Sequence, residues 1–132
     1  MTEEIIKTQE AIKNACGFTP TLMRPPYGAI TKRQREWIER QFGLNVILWS
    51  VDTNDWRRPG SSVISQRIIE GAQPGAIILQ HDIHQQAVDA MPAALDGLLA
   101  KGYKFVTVSE LIAMNHPNPS PTPTAVSPAS GK

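Results

Sequence analysis

The chain has 132 residues, of which 41% are apolar and 19% charged, and its formal net charge is +1. This length predicts one domain of ordinary size, and the balanced charge excludes the basic surface of a nucleic-acid-binding protein. No apolar run approaches the roughly 18 residues of a membrane span. The acidic residues that follow Met1 are unlike the basic start of a signal peptide. The single cysteine, Cys16, excludes an internal disulfide framework.

The last 16 residues differ in composition from the rest of the chain. Segment 117–132 contains five of the 11 prolines and one charged side chain, Lys132. Because proline fixes φ and removes an amide donor, neither a helix nor a central strand is expected there. We predict a disordered tail or linker, either a tether to another module or a frayed terminus. The folded domain is then residues 1–116.

Helical and strand patterns alternate along this domain. Thr2 begins a first helix that ends at Gly17, a short strand follows at 21–23, and Thr31 caps a second helix that ends at Gly43. The residues of these helices that are expected to face the core are Ile5, Ile12 and Ala15, then Trp37, Ile38 and Phe42.

The alternation continues through the second half of the domain. The aliphatic run 44–50 predicts a buried strand, Ser61 or Ser62 caps a third helix, and 76–79 predicts another buried strand. A fourth helix is expected over about 87–100, with its start displaced toward the proline inside it. Its inward-facing residues are expected to be Met91, Leu95, Leu98 and Leu99.

The run 104–107 predicts the last strand, and Ser109 is expected to cap a short final helix. The predicted strands lack polar alternation and are separated by helices. This pattern indicates the α/β class, with a parallel sheet covered by helices.

Polar residues gather where three of these strands end. The segments concerned are Arg24-Pro25-Pro26-Tyr27-Gly28, Asp52-Thr53-Asn54-Asp55-Trp56 and His81-Asp82-Ile83-His84. Because functional sites of parallel α/β folds lie at the carboxyl ends of the strands, the three segments predict one site.

His81 is the best acid–base candidate, since it lies where a buried strand meets a loop. A carboxylate beside one ring nitrogen would hold the imidazolium, and Asp55 and Asp82 are the available carboxylates. A lone histidine at a strand end is more often structural, but Asp55-Trp56 at the neighbouring strand end favours the functional interpretation. Trp49, inside a strand run, is interpreted as core, and Trp56 as a pocket residue.

A metal site within this chain is not predicted. The spacing of His81 and His84 is loose, a site needs three or four convergent ligands, and His116 is poorly placed as the third. Arg24 could bind a carboxylate through both of its terminal nitrogens or simply lie on a loop.

At these segments the chain resembles a known family. Arg-Pro-Pro-Tyr-Gly at 24–28, Trp-Ser-Val-Asp-Thr-Asn-Asp-Trp at 49–56 and Ile-Leu-Gln-His-Asp-Ile-His at 78–84 resemble, in the right order, the polysaccharide deacetylase family. This family, also called the NodB homology domain or carbohydrate esterase family 4, includes peptidoglycan and chitin deacetylases and acetylxylan esterases. The resemblance covers nearly all of 1–112 and implies part of an irregular (β/α) barrel, about four βα units.

The resemblance also implies roles for the site residues. His81 would be the general acid that protonates the leaving amine, and Asp55 would tune it. Arg24 would orient the catalytic base, and the amide of Tyr27 would help to hold the oxyanion. The residues implied to bind substrate are Trp56, Leu79, Pro26 and Tyr27.

One part of the family pattern is absent from this sequence. The family uses zinc or another divalent metal, with ligands from a Thr-Phe-Asp-Asp type motif and a His-x-x-x-His type motif, and this chain contains neither. The chain therefore resembles the C-terminal half of a metal-dependent N-deacetylase of an acetylated glycan. The partners expected are the missing N-terminal half or a second copy of the chain, and the parent enzyme is expected outside the cytoplasm. The alternative is a non-catalytic module that binds glycans or another partner.

Overall fold

The computed structural model describes residues 2–115, so the predicted tail and His116 lie outside the described residues. Helices and short strands alternate as expected. In chain order they are α1 (Thr2–Cys16), β1 (Leu22–Met23), α2 (Lys32–Phe42), β2 (Asn45–Val46), β3 (Val51–Asp52), α3 (Ser61–Gly71), β4 (Ile78–Leu79), α4 (Gln85–Asp89), α5 (Met91–Ala100) and α6 (Val108–Asn115). Two 3₁₀ turns, Pro26–Gly28 and Asp55–Arg57, follow β1 and β3. Within residues 2–115, no helix is long and apolar enough to cross a membrane.

All the strand pairing in this part of the chain is parallel. β1 pairs with β2, and β3 pairs with β4. Among residues 2–115, β1 pairs only with β2 and β4 only with β3, so β1 and β4 each have an outer edge that pairs with no described strand. The predicted parallel α/β arrangement is confirmed.

The prediction of one continuous strand over 44–50 is wrong. The amide of Ile47 donates to the carbonyl of Met23 at 2.8 Å, whereas the amide of Ser50 donates to the carbonyl of Ile77 at 2.9 Å. The chain therefore changes its hydrogen-bonding partner between these two residues, and the ladder breaks into β2 and β3.

The strand predicted over 104–107 is also wrong. A gap of about 280 Å³, lined in part by Ile77, Ile78, Phe105 and Val106, separates this segment from β4. Phe105 and Val106 are exposed. An apolar run becomes a strand only where a neighbouring strand completes its ladder, and no strand within residues 2–115 pairs with this segment.

The predicted cap of α2 is confirmed, and two other predicted caps are wrong. The Thr31 hydroxyl accepts from the amide three residues later, which is half of a complete capping box. Gly60, rather than Ser61 or Ser62, is the N-cap residue of α3. Thr107, rather than Ser109, caps α6, because its hydroxyl accepts from the amide of the third residue after it at 3.2 Å.

The predicted fourth helix is divided into α4 and α5. Pro92 lies in the first turn of α5, where its missing amide proton costs no helical hydrogen bond. Leu98 is buried as expected and Met91 half-buried, but Leu95 and Leu99 are exposed, so the predicted core face is partly wrong. The reason is close packing against α3, where a Cβ on Gly97 would lie 2.5 Å from Cδ1 of Ile69.

The core consists of two clusters. One joins α3, α4 and α5 and contains Ile64, Ile68, Ala72, Ala87, Ala90, Ala94 and Leu98. The other joins α1, α2 and β2 and contains Ile5, Ile38, Leu44 and Val46, with Trp37 and Phe42 packed against it. The second confirms the core face of α2, but on α1 the predicted Ile12 and Ala15 are exposed.

Candidate active site

The parallel pairing of β3 with β4 brings Asp55 and His81 into direct contact. Asp55 begins the 3₁₀ turn after β3, and His81 is the second residue after β4. Nδ1 of His81 lies 2.9 Å from one carboxylate oxygen of Asp55, and the His81 amide donates to the other oxygen at 2.7 Å. The same residue therefore binds both oxygens, and the imidazole is held in one orientation.

Burial and hydrogen bonding act in opposite directions on this pair. Asp55 is only 1% exposed. Burial raises the pKa of its carboxyl, but the hydrogen bonds and charge of His81 outweigh burial and hold the pKa of Asp55 below its ordinary value of 3.8. A carboxylate at Asp55 accepts the Nδ1 proton of His81. This leaves Nε2, on a side chain that is 40% exposed, for other partners.

Asp82, the other carboxylate considered from the sequence, is exposed and is not the partner of His81. Sequence reasoning missed two residues that support the pair. Thr53 is fully buried and its hydroxyl donates to the carbonyl of Leu79 at 3.0 Å, while Arg67 donates to the carbonyl of Thr53 at 2.8 Å. The signal was present as alternation, since Val51, Thr53 and Asp55 are buried and the residues between them are not.

The predicted proline loop is a tight turn after β1. Pro26–Gly28 forms a 3₁₀ turn in which the amide of Gly28 donates to the carbonyl of Pro25 at 3.0 Å. Tyr27 has a left-handed backbone, with φ of 57°, and its side chain is 99% exposed. A non-glycine residue rarely adopts this conformation, which costs roughly 1–2 kcal/mol, so the surrounding contacts must hold it.

Trp49 packs against the glycine that follows Tyr27. Its ring would lie 2.8 Å from a Cβ on Gly28, so only glycine fits against it. The guanidinium carbon of Arg24 lies 5.7 Å from the centre of a Trp49 ring, and the Arg24 side chain reaches the carbonyl of Leu48 at 3.5 Å. The sequence prediction placed Trp49 in the core, whereas it is half-buried and supports the proline loop.

The remaining predicted residues lie near the Asp55–His81 pair or on the proline loop. Trp56 is 52% exposed, with the Arg57 guanidinium stacked 4.7 Å from its ring centre. Leu79 is half-buried at the end of β4, and Pro26 is exposed on its loop. Within residues 2–115, no hydrogen bond or ion pair joins Arg24 to Asp55 or His81.

The described residues do not fit a metal ion bound by this chain alone. In the range 2–115, no three histidine, cysteine, aspartate or glutamate side chains converge to bind one. His81 is engaged with Asp55, and Nε2 of His84 lies 3.5 Å from Nε of Arg58. The site therefore offers acid–base chemistry from one pair.

Known proteins resemble this chain in sequence and in fold. The family model described as polysaccharide deacetylase matches residues 1–47. The peptidoglycan-N-acetylglucosamine deacetylase PgdA of Listeria monocytogenes is 43% identical over 108 residues, which are 82% of this chain and 22% of that protein. The structure of the peptidoglycan deacetylase PdaC from Bacillus subtilis superimposes with a TM-score of 0.71 at 38% identity, over 82% of this chain and 52% of that one.

A second solved structure, a family 4 carbohydrate esterase pseudoenzyme from Bacillus anthracis, superimposes with a TM-score of 0.76 at 31% identity. That match covers 85% of this chain and 41% of the neighbour. The chain thus spans about half of the solved PdaC structure and about a fifth of PgdA.

Fold and site together define a partial α/β domain with a histidine–aspartate pair at the carboxyl ends of its strands. The chain belongs to the polysaccharide deacetylase family, carbohydrate esterase family 4, and its fold is part of the NodB fold. The resemblance predicted from the three motifs is confirmed.

The lowered pKa of Asp55 predicts acid destabilisation. Because this pKa is lower in the folded chain than in the unfolded one, the carboxylate stabilises the fold above pH 3.8 and the contribution is lost as pH falls through the folded-state value. We expect the thermal midpoint to fall less for Asp55→Asn than for the unchanged chain between about pH 5 and about pH 2.5. Glu110, whose pKa the Thr107 amide lowers, is the same in both proteins. Parallel curves would contradict the prediction.

Gly28→Ala tests the contact with Trp49. The alanine adds left-handed strain of roughly 1–2 kcal/mol and overpacking of roughly 1–3 kcal/mol. Gly43→Ala is the matched control, because Gly43 has nearly the same φ, 63° against 66°, and nothing within 4 Å of its Cβ position. Urea denaturation at one fixed protein concentration should show the larger loss for Gly28→Ala, and equal losses would mean that Trp49 does not restrict this position.

Proposed function

We propose that this chain provides the general-acid side of a polysaccharide N-deacetylase, which hydrolyses N-acetyl groups of a glycan such as peptidoglycan or chitin. The observation that carries the proposal is the Asp55–His81 pair, buried at its carboxylate and open at its imidazole. The names of PgdA and PdaC, both peptidoglycan deacetylases, support the substrate class.

In this proposal His81 donates the proton that the departing amine needs. When the carbon–nitrogen bond of the acetamide breaks, the proton passes from Nε2 of His81 to the sugar nitrogen, and acetate is the other product. Asp55 holds the ring through Nδ1 and stabilises the imidazolium before the transfer. Both roles require that Nδ1 of His81 keeps its proton, and the hydrogen bond to Asp55 favours this.

The proline loop and the apolar residues have supporting roles. The Tyr27 amide is proposed to donate to the oxygen that becomes negative as the carbonyl is attacked. Arg24, held by Trp49, is proposed to orient the carboxylate base. Trp56, Leu79 and Pro26 are proposed to line the pocket that receives the acetyl methyl group.

Activation of water must come from outside the described residues. Family 4 deacetylases are generally metal-dependent, and residues 2–115 do not bring three metal-ligating side chains together. We therefore propose that another segment or another chain supplies the metal-binding half of the active site. The polymeric substrates of PgdA and PdaC support an extracytoplasmic location for the parent enzyme.

The second candidate is a non-catalytic module that retains the sugar groove. Two observations favour it: the missing three-ligand group within 2–115 and the structural similarity to a pseudoenzyme of the same family. The two candidates differ in whether the metal-binding motifs accompany this chain. An in-frame Asp-Asp and His-x-x-x-His segment upstream in the genome supports the enzyme.

The pure 132-residue chain, given zinc and N-acetylglucosamine oligomers, is expected to release no detectable acetate. Mixing it with an N-terminal segment of PdaC that carries the missing motifs is expected to restore release, since the two sides of the site then meet. Acetate release by the chain alone would contradict the proposal.

Variants of the mixed system assign the roles. His81→Ala is expected to lower the restored rate roughly 10²- to 10⁴-fold, the usual contribution of general acid–base catalysis. Asp55→Asn should also lower it, whereas Asp82→Asn is the matched control with an exposed carboxylate. Equal rates for Asp55→Asn and Asp82→Asn would remove Asp55 from the mechanism.

The uncovered strand edges predict how the isolated chain behaves. Within residues 2–115, no strand pairs with the outer edges of β1 or β4, and unpaired edges and apolar side chains such as Leu48 favour association. We expect the pure chain to self-associate or to be partly structured until another barrel segment or a second copy covers it. Size-exclusion chromatography with light scattering and a thermal melt measure this. A monomer with a sharp cooperative transition would contradict it.

A further inference from the structure

The peptide group that joins Thr53 to Asn54 is held at both of its polar atoms by charged side chains. Nη1 of Arg67, on α3, donates to its carbonyl oxygen at 2.8 Å. Its amide donates to a carboxylate oxygen of Asp52 at 2.9 Å. Together these two hydrogen bonds form a peptide clamp. Within residues 2–115 no ion pair joins Asp52 to Arg67, so the two charged residues are connected through the clamped peptide group.

The clamp lies where the chain leaves the extended conformation. β3 ends at Asp52, and Asn54 has a φ of 50°, in the left-handed region. This conformation is unfavourable for a residue with a Cβ, although asparagine tolerates it better than most. The angle φ of Asn54 describes how the 53–54 peptide group is rotated about the bond that follows it. Hydrogen bonds to both ends of that group therefore oppose its return to the extended conformation.

The same peptide group lies where the spacing of contacts between the two segments changes. In the β3–β4 ladder Asp52 is paired with Leu79, 27 positions later. The buried Thr53 hydroxyl donates to the carbonyl of the same Leu79 at 3.0 Å, and Asp55 contacts His81, both at a separation of 26. The clamp is thus built at the step that brings the Asp55 carboxylate opposite the imidazole.

We propose that Asp52 and Arg67 are positioning residues for the Asp55–His81 pair, and that they act by fixing the peptide group between Thr53 and Asn54. In the described residues no hydrogen bond joins either of them to the pair directly. The proposal rests on the proposed function for its catalytic consequence. A displaced Asp55 would leave the ring free to turn, or to carry its proton on Nε2 instead of Nδ1.

Nitrogen NMR of the imidazole tests the clamp in the full 132-residue chain. The chain has three histidines, so ¹⁵N-histidine labelling gives few signals, and His81→Gln assigns those of His81. The measured quantity is the ratio of Nδ1-protonated to Nε2-protonated ring in the neutral form, at about pH 9. We expect Arg67→Met and Asp52→Ala each to lower this ratio by up to roughly 10-fold, the worth of one hydrogen bond to a charged group.

Two control variants separate the clamp from general effects of charge. Lys101→Met removes a cation that donates to a backbone carbonyl at the same 2.8 Å, but to Ile69 in α3 and not to the segment 52–55. Asp52→Asn removes the charge of Asp52 and keeps an oxygen that accepts from the Asn54 amide. Both controls should keep the ratio. A thermal melt followed by circular dichroism checks that each variant is folded.

The mixture with the N-terminal segment of PdaC measures the catalytic consequence. Because Arg67 is proposed to act only through the pair, Arg67→Met should lower kcat for acetate release by up to roughly 10-fold and leave KM unchanged. Lys101→Met should change neither constant. An effect of Arg67→Met on KM alone would contradict a positioning role.

The outcomes separate this proposal from the proposed function. A proton ratio that survives both Arg67→Met and Asp52→Ala, or that falls as far in either control, overturns the clamp and leaves the proposed function intact. A ratio that falls while kcat stays unchanged supports the clamp and overturns the proposed general-acid role of His81. If no mixture releases acetate, the proposed function fails, and the NMR ratio still decides the clamp.

Discussion

The constraint on which the site depends is the register between two parallel segments of the chain. Val51 is paired with Ile78 and Asp52 with Leu79, 27 positions apart. Beyond the strands the contacts continue at a separation of 26, at Asp55–His81 and Arg58–His84. The extra residue on the first segment falls between Asp52 and Asp55, where Asn54 leaves the extended conformation with a left-handed φ of 50°. A slip of one residue would separate the His81 ring from the Asp55 carboxylate.

This register also explains how an aspartate survives almost complete burial. A buried carboxylate is tolerated only when its oxygens are hydrogen-bonded and its charge is balanced. For Asp55 both conditions are met by one residue, through the amide and the ring of His81. The contact that orients the proposed acid is therefore also the contact that permits the fold around it. Loss of the ring would leave Asp55 buried with the backbone hydrogen bond but without its charged partner.

The sequence predicted the residues of the site better than the elements that position them. Asp55 and His81 could be paired because both follow aliphatic runs, and parallel strands end at one edge. The break between β2 and β3 was not predictable, since a run such as 44–50 is equally apolar whichever strand it pairs with. The strand expected at 104–107 failed for a related reason. The hydrophobic pattern shows that a segment is apolar. It does not show whether another strand lies beside that segment to complete a hydrogen-bond ladder.

The break between β2 and β3 has a further consequence for the site. On one side of it the chain pairs with β1, which ends at the proline loop, and on the other it pairs with β4, which ends at His81. The connecting residues contact both: Leu48 and Trp49 contact Arg24, and the Ser50 hydroxyl accepts from the amide of Ile77 at 3.0 Å. One short segment therefore fixes the proline loop relative to the Asp55–His81 pair. Because packed side chains tolerate little displacement, the fit of Trp49 against Gly28 helps to set the distance between the proposed oxyanion donor and the proposed acid.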